Sequence, residues 1–148
     1  MSRLSNLTQI KAVAEVRALQ RSVAEASFTK AQVDVRQIEE RQGAAQIDLT
    51  DREAAWLESV SGGLLRLEFS RGWAGAMLEG RQALELIGEE LDQGCAVLGD
   101  RTAELSRASA AEQGAAQLQA RAVRQQTHRV EERALNEATD AFLRRWSR

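Results

Sequence analysis

Apolar side chains recur every three or four residues along almost the whole chain, which is the spacing of a helix surface. From Phe28 the spacing alternates regularly between threes and fours, and this 3.5-residue repeat is typical of a coiled-coil seam. The first seam comprises Phe28, Ala31, Val35, Ile38, Gln42, Ala45, Leu49, Arg52 and Trp56. A second seam comprises Trp73, Met77, Gly80, Leu84, Ile87, Leu91, Gly94, Leu98, Arg101, Leu105 and Ala108. The pattern predicts two long helices that pair with each other.

The pattern is less regular towards both ends of the chain. A stripe begins at Leu4, Leu7 and Ile10, and we expect a slightly rotated face to continue it through Val13, Val16, Leu19, Val23 and Ala26. This change of face before Phe28 is interpreted as a stutter in the repeat. Near the C-terminus an apolar face is formed by Leu118, Ala122, Val130, Ala134, Leu135, Ala138, Phe142 and Trp146.

Turn-forming residues concentrate at one place, Gly62 and Gly63, where glycine permits the backbone of a helix C-terminus. The chain contains no proline, the residue that most strongly ends helices. We therefore predict an all-α fold: a single two-helix antiparallel coiled-coil hairpin with an overhanging C-terminal helix. The predicted helices are residues 4–60 and 73–146, joined by a bend at 61–72. A break at a capping box, Thr50 to Glu53, is the less favoured alternative.

The unequal helix lengths predict the register. A bend near residue 62 places Leu4 opposite residues 120–125, so that the last twenty or so residues overhang the first helix. It also places Leu84, Ile87 and Leu91 near Val35 and Ile38. An apolar face on an overhanging helix has no intramolecular partner, which usually marks a docking surface.

The formal net charge of −2 conceals an uneven distribution. Residues 1–30 carry five basic and two acidic side chains, and residues 121–148 carry seven and four. The intervening residues, 31–120, carry eight basic and sixteen acidic side chains. A hairpin brings both basic ends to one pole, where Arg124, Arg129, Arg133 and Arg144 are expected to steer association with an acidic partner.

The composition argues against catalysis, and we expect neither an enzyme nor a cofactor or metal site. His128 is the only histidine and Cys95 the only cysteine. Cys95 is expected to be a buried structural thiol and His128 a solvated side chain. Basic residues are dispersed among acidic ones, which argues against nucleic-acid binding. No apolar run approaches the roughly 20 residues that span a bilayer, so direct membrane insertion is not expected.

Two segments resemble one protein family. The opening Leu4-x-x-Leu7-x-x-Ile10-Lys11-x-x-x-Glu15 and the closing Glu132-Arg133-Ala134-Leu135-Asn136-Glu137-Ala138 are similar to the corresponding segments of FliJ-type flagellar export proteins. These are relatives of the stalk proteins of type III secretion. Asn136 stands where that family usually has an acidic residue. The predicted hairpin also resembles that family, with its longer second helix.

The resemblance implies a cytoplasmic protein at the inner-membrane export apparatus, similar to the central stalk of rotary ATPases. Its paired ends would dock in the ring of the export ATPase and its hairpin would contact the membrane export gate, with export chaperones as possible further partners. The candidate ATPase-docking residues are Arg124, Arg129, Arg133, Leu135, Phe142 and Trp146. The candidate gate-binding residues, nominated for their expected exposure, are Leu65, Leu67, Phe69, Trp73 and Met77.

Several alternatives stay open. The apolar cluster Leu64, Leu65, Leu67 and Phe69 either faces a partner or folds back on Trp56 and Trp73 to close the hairpin. Trp73-Ala74-Gly75 matches the Trp-x-Gly motif of secreted WXG-type helical hairpins, whose C-terminal tyrosine signal is excluded here because the chain has no tyrosine. A generic coiled-coil scaffold or tether is a further alternative. The oligomeric state, the chaperones and the type of secretion system, flagellar or virulence-related, are left open.

Overall fold

Two long helices make up the fold. The computed structural model describes residues 2–61 and 67–148, and the side chains of residues 6–61 and 68–148. Helix α1 spans Ser2–Ser61 and helix α2 spans Leu67–Trp146, with 60 and 80 residues respectively. The helices pack against each other, and the described residues contain no strand. The predicted all-α helical hairpin is therefore confirmed.

Helix α1 runs without interruption through the position of the alternative break. The hydroxyl of Thr50 donates a hydrogen bond of 2.9 Å to the carbonyl oxygen of Gln46, one turn earlier in the same helix. This is the bond that a threonine makes inside a helix, whereas a capping threonine accepts a bond from a backbone N–H. Continuation of α1, the favoured prediction, is confirmed.

Helix α2 begins at Leu67, six residues earlier than predicted. Gly72, predicted to lie in the bend, lies inside the helix, because a single glycine costs a helix only about 1 kcal/mol. Glu68 lies in the first turn of α2, where a carboxylate interacts favourably with the positive end of the helix dipole. At the other end of the bend, α1 extends to Ser61 instead of residue 60.

The chain divides into two compact units, each of which pairs a stretch of α1 with a stretch of α2. The hairpin-end unit comprises Ala26–Ala103, and the terminal unit comprises Met1–Glu25 and Glu104–Arg148. Both ends of the chain therefore belong to the same unit.

The seam of the hairpin-end unit follows the predicted repeat. Every predicted seam residue from Phe28 to Trp56 and from Trp73 to Leu98 is buried or half-buried. The most buried apolar side chains of this unit are those of Ala31, Val35 and Leu49, each with less than a tenth of the residue surface exposed. The 3.5-residue repeat thus identified the contacting face of both helices in this unit.

Two glycines of α2 receive large side chains of α1. A Cβ atom on Gly80 would lie 3.1 Å from Cδ1 of Leu49, and one on Gly94 would lie 3.2 Å from Cδ1 of Ile38. The same Cβ on Gly94 would lie 3.4 Å from Cγ2 of Val35. Gly80 and Gly94 are two heptads apart, as are Val35 and Leu49, so one register satisfies both contacts.

At the centre of the hairpin-end unit the predicted register is wrong for Leu84 and Ile87, whereas Leu91 lies level with Ile38 as expected. Val35 and Ile38 face Gly94, not Ile87, and Arg41 pairs with Glu90. A bend near residue 62 would place Val35 opposite residue 89, whereas it faces Gly94, so each residue of α1 in this unit faces a position about five residues further along α2 than predicted. The Val35–Gly94 and Leu49–Gly80 contacts fix that position, since larger residues at the two glycines would hold the helices apart.

In the terminal unit the predicted stripe on α1 is wrong beyond Ile10. Leu7 and Ile10 are half-buried as expected, but Val13, Val16, Leu19 and Val23 are each more than half exposed. The half-buried positions that continue the seam are Ala14, Ala18, Arg21 and Ala24. The larger apolar residues predict a rotated face, whereas alanine lets the helices approach closely and keeps the seam on its original face.

The facing stretch of α2 in the terminal unit is also built from small and polar residues. Ala115 is buried, and Arg21 Nε lies 3.4 Å from Glu112 Oε2 across the helix pair. The half-buried positions of this stretch are Leu105, Ala108, Ser109, Ala111, Glu112, Gln119, Ala122 and Gln126. The seam therefore continues to Gln126 but with little apolar bulk.

Candidate functional site

Residues 127–146, here called the C-terminal extension, continue α2 beyond its last half-buried residue, Gln126. Every side chain in this segment is exposed. The overhang predicted from the sequence is therefore present. Its start agrees with the observed register, in which Leu7 and Ile10 line a hollow together with Ala122 and Gln126.

The C-terminal extension carries different chemistry on its two sides. Continuing the seam repeat by threes and fours beyond Gln126 leads to Arg129, Arg133, Asn136 and Asp140, which are polar, and then to Leu143. At 3.6 residues per turn, Leu135, Phe142 and Trp146 lie roughly 110–150° around the helix from the polar seam positions. The apolar side of the extension is thus not a continuation of the intramolecular seam, and pairing with a longer α1 would not cover it.

We call the set Leu135, Ala138, Phe142 and Trp146 the outer apolar face. The exposed fractions are 68% for Leu135, 59% for Phe142 and 78% for Trp146. The rings of Phe142 and Trp146 contact each other with centroids 6.1 Å apart and planes tilted by 43°. Leu143, which the sequence pattern did not nominate, is 58% exposed and lies nearer the seam side of the extension than this face.

The predicted ATPase-docking residues do not form a single patch. Arg124 lies on the same side of α2 as Phe142, because a separation of eighteen residues makes five full helix turns. Arg129 and Arg133 lie on the seam side, and Arg129 lines the hollow of about 260 Å³ that also contacts Asn6 and Leu7. The basic residues are therefore divided between two sides of α2, with Arg124 on the side of Phe142 and with Arg129 and Arg133 on the seam side.

The two units differ in charge, as the distribution along the chain predicts. Counting lysine and arginine against aspartate and glutamate, the terminal unit carries twelve basic and eight acidic residues. The hairpin-end unit carries eight basic and fourteen acidic residues. The C-terminal extension consequently belongs to the basic unit of an otherwise acidic chain.

A second candidate surface lies at the start of α2. Phe69 and Trp73 line an open groove of about 520 Å³ together with Glu68, Gly72 and Ala76. Phe69 is 59% exposed, and a Cβ on Gly72 would meet no atom within 4 Å, so the glycine leaves the groove open. All five lining residues belong to the first three turns of one helix.

The structure brings together two of the five predicted gate-binding residues, Phe69 and Trp73. Met77 is half-buried in the seam and does not line the groove. Leu65 and Leu64 lie outside the described residues, as does the side chain of Leu67. The two alternatives for the cluster of Leu64, Leu65, Leu67 and Phe69, facing a partner or closing the hairpin, therefore both depend on side chains outside the described residues.

The groups with possible chemical reactivity are dispersed. Cys95 is exposed, so the expectation of a buried thiol is wrong: it lies next to the seam residue Gly94, on the solvent side of α2. His128 is exposed, and its Nδ1 lies 4.0 Å from Glu132 Oε1. Residues 2–61 and 67–148 contain no cluster of three histidine, cysteine or acidic side chains placed to hold a metal ion. Neither described helix is long and apolar enough to cross a membrane.

Comparison with known proteins gives no relative from which a function follows. No protein-family model matches the chain. No curated protein and no solved structure matches it either.

Proposed function

We propose that this chain is a cytoplasmic stalk component of a bacterial flagellar or type III protein export apparatus. Its C-terminal extension docks in the ring of the export ATPase, and its hairpin end contacts the export gate. The observation that carries the proposal is the outer apolar face, which lies on the side of α2 away from the seam. The resemblance of residues 4–15 and 132–138 to FliJ-type export proteins supplies the partner.

The apolar face supports docking because it exposes two aromatic rings on a rigid element. Burial of a large apolar side chain stabilises a complex by about 1.5–3 kcal/mol before association costs are subtracted. Aromatic residues are enriched among the few side chains that dominate binding energy at interfaces. Phe142 and Trp146 already contact each other, so docking would fix few additional side-chain torsions.

The charge of the terminal unit supports steering towards an acidic partner. Exposed charges act mainly on the association rate, and salt screens them over a Debye length of about 8 Å at physiological ionic strength. Arg129 and Arg133, on the side opposite the outer apolar face, would contribute to this long-range attraction without contacting the same partner surface. Association should therefore slow with added salt while dissociation changes little.

Binding to the purified export ATPase of the same organism tests the proposal. The double variant Phe142→Ser and Trp146→Ser should weaken binding at least ten-fold, mainly through faster dissociation. The matched control is Leu118→Ser, which alters a 58% exposed apolar side chain of the terminal unit outside the extension. Equal binding by the control and the double variant would exclude the outer apolar face as the docking surface.

The role of the extension as a whole is tested by deleting residues 130–148. The shortened chain should keep its folded hairpin and lose both ATPase binding and stimulation of ATP hydrolysis. If the full-length chain itself does not bind the ATPase, the stalk proposal is wrong, and a generic coiled-coil scaffold accounts for the fold.

The gate contact is assigned to the groove at Phe69 and Trp73. Phe69→Ser should weaken binding of the soluble domain of the export-gate protein, because it removes the exposed ring that lines the groove. Leu78→Ser is the matched control, since Leu78 is equally exposed, at 59%, and does not line the groove. A loss of binding in both variants, or in neither, would contradict this assignment.

A further inference from the structure

A groove runs along one side of the terminal unit, between α1 and α2. One hollow of about 360 Å³ is lined by Asn6, Gln9, Ile10, Val13, Ala115 and Leu118. The hollow of about 260 Å³ that Arg129 lines shares Asn6 and Ile10 with it, so the two hollows form one continuous groove. We call it the terminal groove. Both helices contribute to its lining, so it is more than the uncovered face of a single helix.

The terminal groove has apolar rims and a floor of smaller or more buried residues. Val13 on α1 and Leu118 on α2 form the rims, with exposed fractions of 51% and 58%. Ala115 is buried and Ile10 is half-buried between them. A Cβ on Gly114, one turn before Leu118, would meet no atom within 4 Å, so this side of α2 is open. A groove of this kind between two paired helices fits a third helix.

The charged residues along the terminal groove are all of one sign. The stretches that supply its lining are residues 6–13 of α1 and 115–129 of α2. These stretches contain no aspartate or glutamate, and their four lysine and arginine residues are Lys11, Arg121, Arg124 and Arg129. Arg129 lines the groove, and Arg121 lies one turn after Leu118 on the outer side of the same rim. The groove therefore combines apolar contact with positive charge.

The acidic residues closest along the chain do not neutralise this charge. Glu112 lies in the seam, where its Oε2 is 3.4 Å from Nε of Arg21. Glu15 is two residues from Val13 and thus lies about 160° around α1 from it, on the far side of the helix. The next acidic residue of α2 is Glu131, beyond the last residue of the groove. An acidic partner would therefore meet positive charge that the groove itself does not balance.

We infer that the terminal groove binds an acidic amphipathic helix of a partner protein. The apolar side chains of that helix pack between Val13 and Leu118, and its carboxylates pair with Arg121 and Arg129. The groove extends about 17 Å along α2 from Leu118 to Arg129, so it engages about three turns of the partner helix. A basic helix is disfavoured by like charge, and a nucleic acid would leave the apolar rims unused.

The inference concerns a different surface from the proposed ATPase docking and does not depend on it. The outer apolar face begins at Leu135, whereas the residues that line the terminal groove all precede residue 130. Deletion of residues 130–148 should therefore keep binding of the acidic helix and remove ATPase binding. Leu118→Ser should have the reverse effect. The two proposals can therefore fail separately.

Designed peptides of about three heptads test the chemistry of the partner. The acidic peptide has leucine at its a and d positions and glutamate at e and g. A basic peptide has lysine in place of glutamate, and a third peptide keeps glutamate but has serine in place of leucine. In fluorescence anisotropy with the full-length chain, the acidic peptide should bind at least ten-fold more tightly than the other two. Equal binding by either of these, or no binding of the acidic peptide at millimolar concentration, would overturn the inference.

Variants of the chain test the location of the bound peptide. Leu118→Ser should weaken binding of the acidic peptide at least ten-fold. Its control is Leu86→Ser, which alters a 61% exposed leucine of α2 outside the terminal unit. Arg121→Glu should also weaken binding, whereas Arg145→Glu makes the same change of net charge at an exposed position away from the groove and should have little effect. Equal binding within either pair of variants would overturn the assignment to the groove.

Disulfide trapping gives an independent measure of the location. In a Cys95→Ser background, the Val13→Cys protein is mixed with an acidic peptide that carries one cysteine at a central d position, and the mixture is oxidised. Its mixed disulfide should form faster than that of the Val23→Cys protein, which alters a 61% exposed valine of α1 away from the groove. Equal rates for the two proteins would show that the peptide binds elsewhere and would overturn the inference.

Discussion

The side chain of Leu49 in α1 occupies the space that a side chain on Gly80 of α2 would need. A Cβ atom on Gly80 would lie 3.1 Å from Leu49 Cδ1, closer than such contacts normally are, and 3.6 Å from Arg52 Nη1. Leu49 is among the most buried side chains of the chain, with 6% of its surface exposed. Gly80 would destabilise α2 as an isolated helix, but here it leaves the space that the side chain of Leu49 occupies.

We predict that Gly80→Leu destabilises the hairpin-end unit by about 1–3 kcal/mol, because overpacking forces the helices apart. Gly99→Leu is the control: its added Cβ would meet no atom within 4 Å, and it should stabilise α2 by up to about 1 kcal/mol. Urea unfolding followed by circular dichroism measures both changes. Equal effects of the two substitutions would show that the Leu49–Gly80 contact does not fix the register.

The seam contact is also tested from the side of α1. Leu49→Ala should reduce the free energy of unfolding by about 2–4 kcal/mol, since it removes a buried side chain from a seam that cannot collapse fully. Ile47→Ala, two residues away, alters a side chain that is 65% exposed and should change that free energy by less than about 0.5 kcal/mol. Thermal melts of the two variants should therefore separate clearly, and a larger effect at Ile47 would contradict the seam.

Arg52 is a polar seam residue with two partners. Its Nη1 donates to the carbonyl oxygen of Ala76 at 2.8 Å across the helix pair, and its Nη2 lies 2.9 Å from Asp48 Oδ2. Arg52→Ala should cost about 1–2 kcal/mol, because a half-buried hydrogen bond from a charged donor is lost. Denaturant unfolding of this variant measures that loss.

Arg81→Ala provides the comparison for Arg52. Arg81 lies 3.5 Å from Glu53, and its side chain is 67% exposed. An exposed ion pair of this kind contributes less than about 1 kcal/mol, so the variant should unfold close to the parent. If Arg81→Ala proved the more damaging substitution, the seam role of Arg52 would be refuted.

Deleting residues 130–148 should leave the stability of the hairpin unchanged. The removed side chains are all exposed, so the unfolding midpoint in urea should stay within experimental error of the parent. The helical circular dichroism signal should fall in proportion to the residues removed. A marked drop in the midpoint would mean that the extension contacts the hairpin, and the outer apolar face would then not be available to a partner.

The pairing faces of the hairpin-end unit followed from the sequence because a 3.5-residue repeat leaves only one face for a partner helix. Even the polar seam residues Gln42 and Arg52 were located correctly, since their neighbours at threes and fours are apolar. The overhang followed from the unequal lengths of the helices on either side of Gly62. These features depend on local spacing and chain length, which are written directly in the order of the residues.

The start of α2, the register and the face used by the terminal unit required the tertiary structure. In the terminal unit two stripes compete on α1, one rich in alanine and one containing Val16, Leu19 and Val23, and size alone favoured the wrong one. The facing residues decide between them: Ala115 and Glu112 of α2 admit close approach and an ion pair with Arg21. A contact between two helices depends on the surfaces of both helices. The pattern of α1 alone therefore cannot show which of its two stripes contacts α2, and only the position of α2 shows that Val16, Leu19 and Val23 are exposed.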